Sequence, residues 1–572
     1  MRLKYKIGSV AVVAVAVIVL FAIALAQKPD DTIYSLVKLS SDIAFRINAR
    51  YVDDVNTQDL IYAGIRGMLD TLDPFSEFLD QTDFSNLNEM TSGKYSGLGM
   101  TIFLKDNYVT IMAPMEGTPA YRMGLRAGDR ILKIDGKTTQ GMSTQEASKM
   151  MRGDAGTKVA LTIHREGIDD PMEYNIERAV ITIKTVPFSG VFEQNGEKIG
   201  YVRLSRFGEE ADSELEAAMD SLSKQDIKGL IFDLRSNGGG LLSQAVNVAN
   251  YFLPKGSEVT YTKGRTPDQD NTHYATRDPM MPKVPLVVLV NDMSASASEI
   301  VAGAIQDSDR GVLIGNTTFG KGLVQQVYTL TDGTALKLTT AKWYVPSGRC
   351  IQKDSHNSRH PDTLAAADSL GADTTAAAKI DSTKLEVFHT KGGRIVYGGG
   401  GITPDIKVDP EMLNPLELNL ERVSMFFDFA MKYTSAHPNL PANFEVTDQM
   451  VSEFKDLMKE KKFTYKNRLE NSFDDMEKVA KDSAESDPAV LAEINNFKPL
   501  IVKEKDKEFA QSTDYIKRSI KRDILTRLYG ESEIYQQIVL KTDPYVQKAV
   551  DILTSQKQYA SILEGDDGAI KR

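Results

Sequence analysis

The stretch Val290-Asn-Asp-Met-Ser-Ala-Ser-Ala-Ser-Glu-Ile300 sets three serines among small residues at the entrance to a predicted helix. Downstream, Thr318-Phe-Gly-Lys-Gly322 holds one lysine between two glycines. A serine and a lysine on neighbouring elements, with no histidine between them, are partners for nucleophilic catalysis. Small neighbours let a substrate backbone come close, and a helix starting here aims its N–H groups and positive end at a reacting carbonyl. Ser294, Ser296 and Ser298 compete for the role of nucleophile, and a capped helix packed through its small residues is the bland alternative. A lysine in a turn is ordinarily solvated. Buried against apolar walls, Lys321 would lose its charge and could accept a serine proton.

The surrounding residues supply the scaffold for that pair. Gly200-Tyr-Val-Arg-Leu204, Gly229-Leu-Ile-Phe-Asp-Leu234, Val284-Pro-Leu-Val-Val-Leu-Val290 and Gly311-Val-Leu-Ile-Gly315 are near-continuous apolar runs. Such runs are strands covered on both faces. Helical stretches such as Leu241–Tyr251 alternate with them, which predicts an α/β core. Within it, Asp233-Leu-Arg-Ser-Asn-Gly-Gly-Gly-Leu241 ends a buried strand in glycines before a helix. Glycines there free backbone N–H groups to meet an oxyanion, although a tight strand-to-helix turn needs glycine equally well.

From Tyr95 to about Ile183 the pattern shifts to short strands separated by turns, with Met100-Thr-Ile-Phe-Leu104, Tyr108-Val-Thr-Ile-Met112 and Val159-Ala-Leu-Thr-Ile163 among them. Ser143-Thr-Gln-Glu146 is a capping box opening a helix to Met151. Before this region residues 28–90 read as helical, interrupted at Asp73-Pro-Phe-Ser76 by a turn. After the core, 352–384 is polar and Ala/Ser/Thr/Asp-rich, and 410–572 reads as charged amphipathic helices.

Composition narrows the function. The 572 residues are too many for one core and suggest several domains. A net charge of −11 argues against nonspecific nucleic-acid binding, which needs a basic surface. Cys350 is the single cysteine, so no disulfide closes within the chain, and the six histidines show no metal-ligand spacing. Arg2, Lys4 and Lys6 precede an uncharged run from Ile7 to Ala26 that ends Ala24-Leu-Ala26. That is an export signal peptide or, uncleaved, an N-terminal membrane anchor.

The order of elements between 91 and 183, with Ser96-Gly-Leu-Gly-Met100 at its head, resembles a PDZ domain. The resemblance makes Gly97, Leu98 and Gly99 the loop that binds a peptide C-terminus. Asp73-Pro-Phe-Ser76, the PDZ region, Gly200–Leu204, Asp233-Leu-Arg235, the serine run, Phe319-Gly-Lys-Gly322 and Tyr344-Val-Pro-Ser-Gly-Arg349 follow in one order. Together they resemble the carboxyl-terminal processing peptidases, or tail-specific proteases, which carry a Ser-Lys dyad.

That resemblance implies a multidomain α/β protein with a ClpP/crotonase-like peptidase core, an inserted α+β PDZ domain, an N-terminal helical segment and a C-terminal all-α region. The segments would be 1–26, signal or anchor; 28–90, helical; 91–183, PDZ; 184–351 with 385–409, core; 352–384, polar insertion; and 410–572, helical tail. It makes Ser296 the nucleophile, Lys321 the base, Gln325 a residue orienting the base, and the N–H groups of Gly239 and Ala297 the oxyanion hole. The relatives commonly carry Asn-Pro-Gly-Gly where this chain has Asn237-Gly-Gly-Gly240. Asp307, sometimes grouped with the dyad, would stand roughly 16 Å along a straight helix from Ser296 and reads as structural. Gln325, about 13 Å along a straight strand from Lys321, can reach it only if the chain bends. His389 is the one histidine kept for a Ser-His-Asp alternative. No metal or organic cofactor is implied. The implied partners are exported proteins with free C-terminal tails, cut in the periplasm or cell envelope, and no nucleic acid. The tail beyond Pro410 would serve oligomerisation, adaptor contact or packing against the core. A catalytically silent PDZ scaffold that only captures C-termini is the competing function.

Overall fold

The computed structural model describes residues 31–353, 386–482 and 488–565. The apolar run 7–26 and nearly all of the polar stretch 352–384 lie outside them. The chain divides into two compact units, one of the residues up to Phe84 with Gln325–Thr339, the other of Ser85–Val324 with Thr340 onward.

In the first unit, helices Asp31–Arg50 and Thr57–Leu69 precede a short strand, Glu77–Leu79, which pairs antiparallel with Ala335–Lys337. The turn before that strand is made by Asp73, whose carboxylate accepts the Phe75 and Ser76 N–H groups at 2.8 and 2.9 Å. An aspartate that bonds the backbone two and three residues on competes with helix and stops it here.

The second unit opens within helix Gln81–Ser92, which is followed by strand Lys94–Gly97, paired with Ala179–Thr182. Between those paired ends lies a small antiparallel sheet with its own core of Val109, Ile111, Ile131, Leu161 and Ile163. Helix Thr144–Met151 packs on it, capped reciprocally by Ser143 and Glu146.

The central sheet has six strands in sequence order: β1 (Phe188–Gln194), β2 (Glu197–Arg203), β3 (Gly229–Asp233), β4 (Leu286–Val290), β5 (Val312–Gly315) and β6 (Ile406–Lys407). β1 runs antiparallel to β2, and the remaining pairs are parallel. Side chains alternate between two cores: Leu230, Phe232, Val288 and Val290 face one, Ile231, Val287 and Leu289 the other. That double burial explains why the strands read as unbroken apolar runs. Helices α1 (Leu242–Ala249) and α2 (Ala297–Asp307) cover the first face.

The second face is covered from the far end of the chain. Helix α3 (Pro544–Thr554) and its flanks lay Leu540, Tyr545, Val546, Ala549, Val550, Ile552 and Leu553 on the sheet. Each large apolar side chain buried there contributes about 1.5–3 kcal/mol. Of the roles expected for the helical tail, packing against the core is thus present in residues 540–563. The helices between Pro415 and Leu528 form a separate core around Phe426, Phe429, Phe454 and Ile520. The small antiparallel domain docks on this bundle: Phe103 meets Phe427 edge-on at 5.2 Å, and Lys105 pairs with Asp428.

Candidate active site

Parallel strands end at one edge of the sheet, and the loops that follow them gather there. β3 leads into Arg235–Leu241, β4 into the serine run, and β5 into Thr317–Gly322. These three loops are tied together by a few bonds.

Burial separates the three serines. Ser294 is fully buried and donates to Leu234 O at 2.9 Å, and Ser298 is fully buried and donates to Asn237 O at 2.8 Å. Both hydroxyls serve the backbone of the glycine loop. Ser296 alone is half-buried rather than sealed in. It stands at φ 54°, ψ −112°, immediately before the first residue of α2. A non-glycine residue held there is strained, as in a nucleophile elbow, and persists only where its surroundings fix it.

Glu299 does the fixing. It is fully buried and accepts from the Ser296 N–H at 2.8 Å, the Thr318 hydroxyl at 2.5 Å, and the Gly320 and Lys321 N–H groups at 2.7 and 3.0 Å. The backbone nitrogens of Ser296 and Lys321 therefore share one carboxylate oxygen and lie within about 6 Å of each other. A further bond from Phe319 N–H to Ser294 O, at 3.1 Å, joins the same two loops. Burial raises the Glu299 carboxyl, against the opposing pull of these four donors. Sequence reasoning passed over Glu299. The signal was present, because Ser296-Ala-Ser-Glu299 has capping-box spacing.

The glycine loop presses against the serine turn. At Gly239, φ is +100°, and an added Cβ would lie 2.8 Å from Ala295 O and 3.0 Å from Ala297 N. No side chain fits there. The Gly239 N–H, expected to face an oxyanion, instead donates to Asn237 Oδ1 at 2.9 Å. Ala297 opens α2, where backbone N–H groups have no partner within the helix. Behind the loop, Asp233 is buried between Arg203 and Arg235. Burial would push its carboxyl up, but the two guanidiniums and the Tyr201 hydroxyl hold it well below the usual carboxylate range.

Gln325 belongs to the first unit, where its side-chain amide donates to Thr339 Oγ1 at 3.4 Å. Asp307, at the far end of α2, pairs with the fully buried Arg349 at 2.7 Å and accepts the Ser347 N–H, a structural clamp. His389 is exposed on a two-stranded hairpin and, among the described residues, makes no hydrogen bond to the serine run.

The second candidate region lies on the small antiparallel sheet. Gly97, Leu98 and Gly99 line a groove of about 580 Å³ together with Met100, Ile102, Ser148 and Met151. Leu98 O accepts from Ala120 N–H and Gly99 O from Met115 N–H, both at 2.9 Å. In trans peptides the N–H points opposite its C=O, so the following N–H groups, of Gly99 and Met100, point away from Ala120 and Met115. Gly99 has φ +77°, and a side chain there would run into Thr118. Arg152 also lines the groove, paired with Glu89 and lying over the Tyr95 ring at 5.1 Å.

Comparison with known proteins draws on the whole chain. Residues 198–362 match the model of peptidase family S41, 110–165 that of a PDZ domain, and 416–553 that of the C-terminal helical domain of a probable PDZ-protease. A carboxy-terminal-processing protease of Bartonella bacilliformis is 39% identical over 341 residues, 59% of this chain and 77% of that protein. A carboxyl-terminal-processing protease of Synechocystis is 41% identical over 295 residues, 51% and 68% of the two chains. Among solved structures, a photosystem II D1 C-terminal processing protease is 29% identical over 65% of this chain and 87% of that one, with a TM-score of 0.35.

Proposed function

This chain belongs to the carboxyl-terminal-processing proteases of peptidase family S41, serine-type peptidases with a PDZ domain, and we propose that it cuts by a Ser296–Lys321 dyad. The observation that carries the reading is the sharing of Glu299 between the Ser296 and Lys321 backbones, with Ser294 and Ser298 sealed in structural bonds.

Neutral Lys321 takes the proton of the Ser296 hydroxyl as the oxygen attacks the scissile carbonyl. Collapse of the tetrahedral adduct breaks the C–N bond, and Lys321 passes its proton to the leaving amine. Water then attacks the acyl-enzyme by the same exchange and releases the new carboxylate. The oxyanion meets the Ala297 N–H and, as Asn237 Oδ1 yields it, the Gly239 N–H. Gln325 would orient Lys321 in the working enzyme. Substrate tails enter as an added strand beside Met100–Lys105, their carboxylate on the Gly97–Gly99 loop. The charged and apolar residues at 2–26 support export to the periplasm or cell envelope, anchored or cleaved. Exposed Leu469, Met476 and Val479 suit self-association or adaptor contact by the helical tail.

The test compares wild type with Ser296→Ala and Lys321→Ala on an unfolded protein bearing an apolar C-terminus. Both variants should lose at least about a hundredfold in kcat. Undiminished cleavage by either one would sink the dyad. Amidating the substrate C-terminus should raise KM, and an unchanged KM would remove the tail-capture role.

A further inference from the structure

The roots of two site loops are held from outside the peptidase core. Helix α3 begins at Asp543-Pro-Tyr545, and its first residues reach both. Arg235 donates to both Asp543 oxygens at 3.0 and 2.9 Å, while its Nε and other terminal nitrogen bond Asp233. The same guanidinium lies 4.8 Å from the Tyr545 ring centre. The Tyr545 hydroxyl, in turn, accepts from Asn316 Nδ2 at 2.8 Å.

Neither contact is far from the chemistry. Ser236, next to Arg235, is held at φ 54° by its N–H bond to Asn291 Oδ1 at 2.7 Å, and the Asn291 amide returns a bond to the Ser236 hydroxyl. Asn291 begins the serine loop. Asn237 follows, its carbonyl accepting from Ala295 N–H and the Ser298 hydroxyl. Asn316 stands two residues before Thr318, whose hydroxyl is on Glu299.

We infer that Asp543 and Tyr545 are positioning residues for the peptidase site, Asp543 acting on the glycine and serine loops through Arg235, and Tyr545 on the lysine loop through Asn316. The site is then complete only with α3 seated on the sheet. This rests on the dyad proposed above. Asp543 also caps its own helix, accepting the Tyr545 and Val546 N–H groups at 2.9 and 3.2 Å. Asparagine caps about as well as aspartate, so Asp543→Asn keeps the cap and removes the charge facing Arg235. Tyr545→Phe keeps the ring and its packing and removes the hydroxyl.

The experiment uses the full chain, a short peptide substrate and an active-site-directed fluorophosphonate. Asp543→Asn should lower kcat and the labelling rate about tenfold, leave KM within about twofold, and leave the unfolding temperature within a few degrees. Tyr545→Phe should give a smaller loss of the same kind. Arg235→Lys combined with Asp543→Asn should be no worse than the more damaged single variant, because the two act through one contact. Ile520→Ala, buried in the separate helical core, serves as the stability control and should lower the unfolding temperature with kcat unchanged. Wild-type kcat and labelling in Asp543→Asn would overturn the inference. So would an equal loss of kcat in Ile520→Ala, which would make the effect one of stability. A Ser296→Ala chain that still labels would instead defeat the dyad beneath it, whatever Asp543 does.

Discussion

At the scale of the residue, one carboxylate decides how the site is held. Glu299 has four donors on two oxygens, so Glu299→Gln sets an amide N–H₂ against backbone N–H groups that need an acceptor. The expected loss is about 2–4 kcal/mol in stability and at least tenfold in kcat. Thermal unfolding and fluorophosphonate labelling check both. Because burial raises this carboxyl, the folded chain holds its proton more tightly than the unfolded one. Its contribution to stability is therefore present below the unfolded value and lost as pH rises through the folded one. Acid should silence activity while circular dichroism remains native, because protonation removes one acceptor site without favouring unfolding here. Loss of both signals at one pH would refute this. By local residue chemistry the three serines are equivalent, each beside small residues; the family resemblance singles out Ser296, and burial separates it from the other two. The duty of Glu299 toward Gly320 and Lys321 was illegible, since spacing suggests a cap but not a contact with a loop after the next strand.

At the scale of the element, short-range chemistry carried most of the information. Apolar runs located the central strands, and the capping box located helix Thr144–Met151. The groove loop depends on Gly99, where a positive φ and the nearby Thr118 exclude any side chain. Gly99→Val should raise KM for tail-bearing substrates at least tenfold and leave a short internal peptide cut as before. Equal effects on the two substrates would mean that the loop does not receive the tail. The contact of α3 with the sheet could not be read, because its apolar stripe suits any partner. Neither could the Asn237 side chain's hold on the Gly239 N–H, for the triple glycine predicts an open turn.

At the scale of the molecule, the PDZ region is fastened to the helical bundle by a partly buried charge cluster. Asp428 pairs with Lys105 and, at 2.6 Å, with Lys461. Burial, then the charge of Lys461, already lowers the Lys105 ammonium to about 8. Asp428→Asn leaves Lys105 and Lys461 facing without the carboxylate that bonds both, at a cost of about 3 kcal/mol. Limited proteolysis should then release the PDZ region sooner than in wild type, and an unchanged digestion course would show that Phe103 and Phe427 suffice. The second face of the peptidase sheet, closed by residues 540–563, also sets an order of events during synthesis. Every strand of that sheet leaves the ribosome before α3 exists, so an apolar face stays bare while more than a hundred further residues are made. On the reading that α3 aligns the site loops, a growing chain carries its protease unarmed past its neighbours. The enzyme becomes able to cut only after α3 has been made.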